Sequence, residues 1–203
     1  MKNIRITCGI LKGKNIPFEF KSTLRPTSSK LREILFNWLQ FEISNFECLD
    51  LFAGTGALGI EALSRGAKKT VFIELNKKNY LGIKSSVKNL KIEETSMVLF
   101  KDCISWIKKS DLSRFNLIFL DAPFNEELEE KTLRMLTSNK SLKPSCKINL
   151  EHSKFSIIEI PTSLKILKEK NVGDVKALLL SLSLIHISEP TRPERIADGG
   201  LWV

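Results

Sequence analysis

Two short stretches of this chain hold residue types and spacings suited to chemistry. The first is Gly54-Thr55-Gly56-Ala57-Leu58-Gly59, a G-x-G-x-x-G that follows an apolar run and opens a helical pattern. Its glycines allow a tight turn and the close approach of a ligand to the backbone. Glu74 stands 20 residues after Gly54, at the tip of the next apolar run. A carboxylate at that distance can accept hydrogen bonds from both hydroxyls of a ribose, so the pair points to an adenosine-containing cofactor. NAD enzymes share this spacing. Asp50, four residues before Gly54, favours S-adenosylmethionine instead. A carboxylate there can receive the methionine ammonium, whereas a pyrophosphate would be repelled. Asp102, just after a third apolar run, can take an adenine amino group.

The second stretch is Asp121-Ala122-Pro123-Phe124, which closes the apolar run Phe115–Leu120. Methyl transfer from a sulfonium is an in-line displacement and needs a nucleophile with a free lone pair. An aromatic amine has its lone pair delocalised into the ring. The Asp121 carboxylate and the Ala122 carbonyl can accept its two N–H bonds and turn the nitrogen toward the methyl group, while Phe124 stacks on the base. The rate then comes mostly from positioning. An amine inside a duplex is out of reach, so the base must be unpaired or flipped out.

These residues require a scaffold that brings strand ends together. Apolar runs at Cys48–Phe52, Thr70–Ile73, Met97–Phe100, Phe115–Leu120 and Lys147–Glu151 read as strands. Helical spacing follows Ser28 or Ser29 (Leu31, Ile34, Leu35, Trp38, Leu39) and continues from Ile60, over Lys77–Leu90 and over 127–138. Two last strands flank the turn Asn171–Asp174. The alternation predicts an α/β fold with a doubly wound parallel sheet and an antiparallel edge, ligands binding at the carboxyl ends of its strands.

Ahead of the core, residues 3–20 read as a small hairpin around Lys12-Gly13-Lys14, and 21–27 as a loop. Lys12, Lys14, Lys21, Arg25, Lys30 and Arg32 crowd this front end and suit phosphate contacts, with Arg25 and Arg32 the best placed chemically because arginine bridges phosphate in a fork. The whole chain has 32 Lys+Arg against 23 Asp+Glu, a net charge of +9 that points to a polyanionic partner. The four cysteines (Cys8, Cys48, Cys103, Cys146) form no C-x-x-C pair, and only His152 and His186 could join them, so no metal site is expected. The start lacks a secretory signal and no run is long enough for a membrane span, which fits a cytoplasmic protein. From Ser183 the periodicity stops. Residues 183–203 are expected to be a non-native tail, leaving one domain over 1–182, with 1–27 the basic hairpin and loop and 28–182 the Rossmann-like core.

Several of these stretches resemble the bacterial 16S rRNA guanine-N2 methyltransferases. They are Leu24-Arg25-Pro26-Thr27, the helix Leu31-Arg32-Glu33-Ile34-Leu35-Phe36-Asn37-Trp38-Leu39, the segment Leu49–Ala67, Phe72-Ile73-Glu74, the tetrad at Asp121, and Asn149-Leu150-Glu151. The resemblance covers residues 3–182, and its Arg-Pro-Thr loop and following helix are its most specific part. It implies a seven-stranded class I methyltransferase sheet, a monomer, S-adenosylmethionine as cofactor, and 16S rRNA or the 30S particle as partner. The candidate cofactor-binding set is Asp50, Phe52, Gly54, Thr55, Gly56, Gly59, Glu74, Leu75, Asp102 and Cys103, and the candidate RNA contacts are Lys12, Lys14, Arg25, Thr27 and Arg32. The family tetrad has proline where this chain has Ala122, which removes a fixed φ and is expected to lower the rate. Three other readings stay open on the residues alone. One is an adenine-N6 or other amino-methyltransferase of DNA or 23S rRNA, one an NAD(P)-dependent oxidoreductase, and one a non-catalytic RNA-binding module.

Overall fold

In the computed structural model of the chain, residues 2–18, 28–123 and 126–183 are described. Lys21, Arg25, Thr27, Phe124 and the segment 184–203, all singled out above, lie outside these residues.

The N-terminal hairpin pairs β1 (Lys2–Arg5) antiparallel with β2 (Asn15–Phe18), Ile4 opposite Ile16. Of the two candidate caps of helix α1 (Ser29–Trp38), the structure uses Ser28, its hydroxyl accepting the Leu31 N–H at 3.2 Å. The core then runs β3 (Glu47–Asp50), α2 (Ala57–Ser64), β4 (Lys69–Glu74), α3 (Lys77–Leu90), β5 (Ser96–Phe100), α4 (Cys103–Ile107), β6 (Leu117–Leu120), α5 (Glu126–Ser138), β7 (Lys147–Ser153), β8 (Leu164–Val172) and β9 (Val175–Leu182). Helix α4 is absent from the sequence reading. It is too short for periodicity to show, and Asp102 caps it.

Seven strands form one sheet in the order β5-β4-β3-β6-β7-β9-β8. The first five of these are parallel, and β9 runs antiparallel to both β7 and β8. The seven-stranded, mostly parallel expectation therefore holds. Chain order reverses between β3 and β6, which makes the carboxyl ends of these two strands the switch-point crevice of the sheet.

Both faces of the sheet are covered, as parallel strands require. Phe36, Ile60, Phe72, Phe119 and Ile83 fill the face shared by the hairpin and α1–α3. Leu49, Val71, Ile118, Leu120 and Leu133 fill the face under α4 and α5. All of these side chains are within a few percent of complete burial, each contributing roughly 1.5–3 kcal/mol by leaving water.

The hairpin is locked to α2. The buried Glu61 carboxylate accepts Thr7 N–H (3.0 Å), Thr7 Oγ1–H (2.7 Å), Cys8 N–H (3.1 Å) and Arg65 Nε–H (3.0 Å). Ser64 carbonyl accepts Ile10 N–H at 2.7 Å. Gly9, at φ +82°, lies so close to Ser64 that a Cβ there would stand 1.8 Å from its carbonyl oxygen. The hairpin thus sits against the helix that follows the glycine turn.

Candidate active site

The glycine turn is built in three steps. β3 ends at Asp50, yet Leu51 N–H still reaches Phe119 O (3.2 Å) and Ala53 N–H reaches Ile73 O (3.0 Å). Gly54 and Gly56 then adopt positive φ (54° and 78°), a region glycine enters freely. α2 begins at Ala57, three residues earlier than periodicity suggests, so Gly59 is already helical. A Cβ on Gly59 would meet the Phe72 ring at 2.3 Å and Thr70 Cγ2 at 2.8 Å. Here glycine lets helix and strand pack closely, so that α2 points its N-terminus into the crevice.

That crevice is a cavity of about 440 Å³ at the switch point. Asp50, Phe52, Gly54, Thr55, Glu74 and Leu75 line it from the β3 and β4 ends. Asp102 and Cys103 line it from the start of α4, and Asp121, Ala122 and Pro123 from the end of β6. Gly56 and Gly59 do not line it: both are buried, and they shape the turn without facing the cavity. Sequence reasoning missed Asn76, Asn79 and Lys101, which also line it. Asn76 had a signal, being the N-cap of α3 two residues after Glu74.

The electrostatics divide the site. Asp50 is buried, accepts Gly59 N–H at 3.2 Å, and is pushed up to about 8 by burial first and by the charges of Asp121 and Glu74 second. A buried carboxyl so strained toward neutrality offers a cation a favourable place. Glu74 also lies above the usual carboxylate range, because burial outweighs the N–H bonds it accepts. Those bonds come from Gly54 (2.7 Å, to Oε2) and Asn76 (2.6 Å, to Oε1). The Asn79 side chain and Leu75 N–H also bond this carboxylate, so a ligand hydroxyl there competes with donors already in place. Asp102 is held below its ordinary value by Ser105 N–H at 2.8 Å and the Ser105 side chain. Burial pushes the Cys103 thiol up to about 12, so it is no thiolate nucleophile.

Of the expected RNA contacts, Lys12 and Lys14 are exposed on the hairpin turn. Arg32 corrects the sequence reading. It is only 2% exposed, its Nη2–H donates to Arg5 O at 2.9 Å, and its Nε lies 3.9 Å from Glu61 Oε2. A guanidinium committed to a buried acid and a backbone carbonyl is an internal tie, not a phosphate contact. Phe36, four residues on and fully buried, marked this side of α1 as inward.

Among the described residues no cluster of three or more His, Cys, Asp or Glu could hold a metal ion, and no helix is long and apolar enough to cross a membrane.

Residues 4–181 match the family model described as conserved hypothetical protein 95. The chain is 38% identical over 174 residues to ribosomal RNA small subunit methyltransferase D of Haemophilus influenzae, covering 85% of this chain and 90% of the relative. It is 36% identical over 176 residues to the protein of the same name in Buchnera aphidicola, covering 87% and 92%. A solved structure of a candidate methyltransferase from Escherichia coli superposes with a TM-score of 0.79 at 31% identity, over 89% of this chain and 98% of that one. An RNA methyltransferase of Salinibacter ruber, solved with S-adenosyl-L-homocysteine, shares the fold at a TM-score of 0.64 and 12% identity, over 83% and 98% of the two chains.

Proposed function

This chain belongs to the conserved hypothetical protein 95 family together with the small-subunit rRNA methyltransferases D, and from that premise we propose that it moves a methyl group from S-adenosylmethionine to the exocyclic N2 of one guanine in 16S rRNA. Methyl transfer to ribosomal RNA is the activity carried by the names of its relatives. The cofactor, the guanine and the nitrogen are our reading of the site.

The observation that carries it is the convergence of Asp50, Glu74 and Asp121 on one switch-point cavity. The donor set fits the cofactor. Asp50 is a buried acid that gains from a cationic neighbour, which suits the ammonium, and Glu74 lines the same cavity, which suits the ribose hydroxyls. Once bound there, S-adenosylmethionine supplies an electrophilic methyl group. Asp121, half-buried at the end of β6, accepts one N–H of the base amine, and the Ala122 carbonyl accepts the other. Holding both N–H bonds in fixed directions orients the nitrogen and localises its lone pair, so catalysis here is chiefly positional. The exposed Lys12 and Lys14 track the RNA backbone without reading sequence.

The test is incubation of the protein with methyl-labelled S-adenosylmethionine and 30S particles from cells lacking the modification, beside Asp121→Ala. The expected result is label in one 16S guanine as N2-methylguanine, reduced about 100-fold or more in the variant with cofactor binding retained. Label in adenine or in 23S rRNA, or none with the cofactor bound, rejects the guanine-N2 assignment. Absence of cofactor binding rejects the whole reading.

A further inference from the structure

The β6–β7 register aligns Leu120 with Leu150, so the next pair beyond the ladder is Asp121 and Glu151. The β3–β6 register sets Asp50 beside Phe119. Since side chains alternate along strands, Asp50, Asp121, Asn149 and Glu151 all point to one face, the one that carries α1 and α2. Glu151 is 2% exposed and Asn149 fully buried. Behind the tetrad, then, the fold has placed a second carboxyl that the mechanism above does not use.

We propose that Glu151 is a positioning residue for Asp121: its buried carboxyl, packed behind the tetrad and tethered by Asn149, donates a hydrogen bond that holds the Asp121 carboxylate in the orientation from which it accepts the substrate amine. This rests on the methyl-transfer reading for its catalytic consequence, though not for the contact itself.

The surroundings favour a neutral Glu151. Its carboxyl is raised well above the usual range, by burial first, then by the Asp121 charge and, more weakly, by Asp50. Asn149 and Arg32 oppose this. Arg32, reaching in from α1, also faces Glu61 of α2, so its charge is divided between two acids. β9 presents Ala177 opposite Glu151 and adds no charge. Asn149 Nδ2 lies 3.4 Å from Glu151 Oε1, while Asn149 Oδ1 has no hydrogen-bond partner among the described residues. Held by that amide donor on Oε1, a protonated Glu151 keeps its one O–H on the other oxygen, free to donate toward Asp121. A like-charged pair of carboxylates in this space would instead repel, and a neutral acid with an ionised one is the arrangement that fits.

Glu151→Gln keeps the shape and a donor, whereas Glu151→Ala removes both. The expected result is that Glu151→Ala lowers kcat about tenfold or more with KM for S-adenosylmethionine nearly unchanged, that kcat of the native protein falls at alkaline pH as Glu151 loses its proton, and that Glu151→Gln restores most of kcat and lacks that fall. Infrared spectroscopy supplies a readout independent of activity. A protonated carboxyl band at neutral pH, missing from Glu151→Gln, should shift in Asp121→Asn. A band that does not move in Asp121→Asn, or no band at all, overturns the proposal, as does Glu151→Gln proving as slow as Glu151→Ala. A band that shifts in a protein inactive on every rRNA tested upholds the contact and rejects the methyl-transfer reading.

Discussion

Gly54 donates its backbone N–H to Glu74 Oε2 at 2.7 Å, across 20 residues of chain and two strand ends. The bond fixes the mouth of the glycine turn to the acid proposed to hold the ribose. One carboxylate therefore shapes the turn and faces the cavity at once. Glu74→Ala should weaken binding of S-adenosylhomocysteine by about 1.5–3 kcal/mol, roughly tenfold to a hundredfold. Glu74→Gln, which keeps one oxygen, should lose less. Titration calorimetry decides it, and unchanged affinity in the alanine variant removes Glu74 from the ribose site.

The proposed ammonium role of Asp50 predicts pH-dependent cofactor binding. Its carboxyl, at about 8, is mostly protonated at neutral pH, and a cationic ligand favours its ionised form. Affinity should rise with pH, by up to about tenfold per unit, and level off near pH 8. The sign for stability is opposite. A folded pKa raised above the unfolded value contributes stability present below about pH 4 and lost as pH rises through about 8. The ligand-free protein should thus lose Tm across that window. Glu74 and Glu151 act in the same direction, so Asp50's share is the part that Asp50→Asn removes. A pH-independent affinity in the native protein rejects the ammonium role.

Gly59→Ala should destabilise the fold by about 1–3 kcal/mol, since the new methyl must displace the Phe72 ring or push α2 off β4. Urea unfolding measures this. A neutral result places the helix farther from the strand than 2.3 Å between a Cβ and the ring allows.

Glu61→Ala strips three hydrogen bonds to the hairpin and one from Arg65, and leaves Arg32 buried beside an empty place. A loss of about 3–5 kcal/mol is expected, as for other broken buried pairs. Arg32→Met should leave the salt dependence of RNA affinity unchanged, whereas Lys12→Ala with Lys14→Ala should reduce its slope. A reduced slope for Arg32→Met would return that residue to the RNA surface.

Ala122 stands where the resemblance implies a proline, and it is buried at 3% exposure. Ala122→Pro should raise kcat by fixing φ at the loop that presents Asp121. Single-turnover kinetics at saturating cofactor test this, and an equal or slower rate shows that the loop is already set by its packing.

What the sequence by itself determined is what local patterns encode. The alternation of apolar runs and helical spacing specified the doubly wound sheet. Ser28 and Ser29 marked the start of α1, and the glycine spacing with Glu74 marked the turn and acid proposed to hold the cofactor, because turn geometry and caps depend on neighbours a few residues away. Only the tertiary structure decided what each charge meets. Arg32 read as an RNA contact and Glu61 had no role assigned in sequence, yet both are buried, since Glu61 finds Thr7 and Cys8 across more than 50 residues of chain. Glu151 was part of a matching stretch with no role assigned, and only the strand register, which runs to Leu120 and Leu150, puts it next in line with Asp121, whose charge it feels. A charged side chain turns inward only where distant partners compensate its desolvation, and such partners are brought together by the completed sheet.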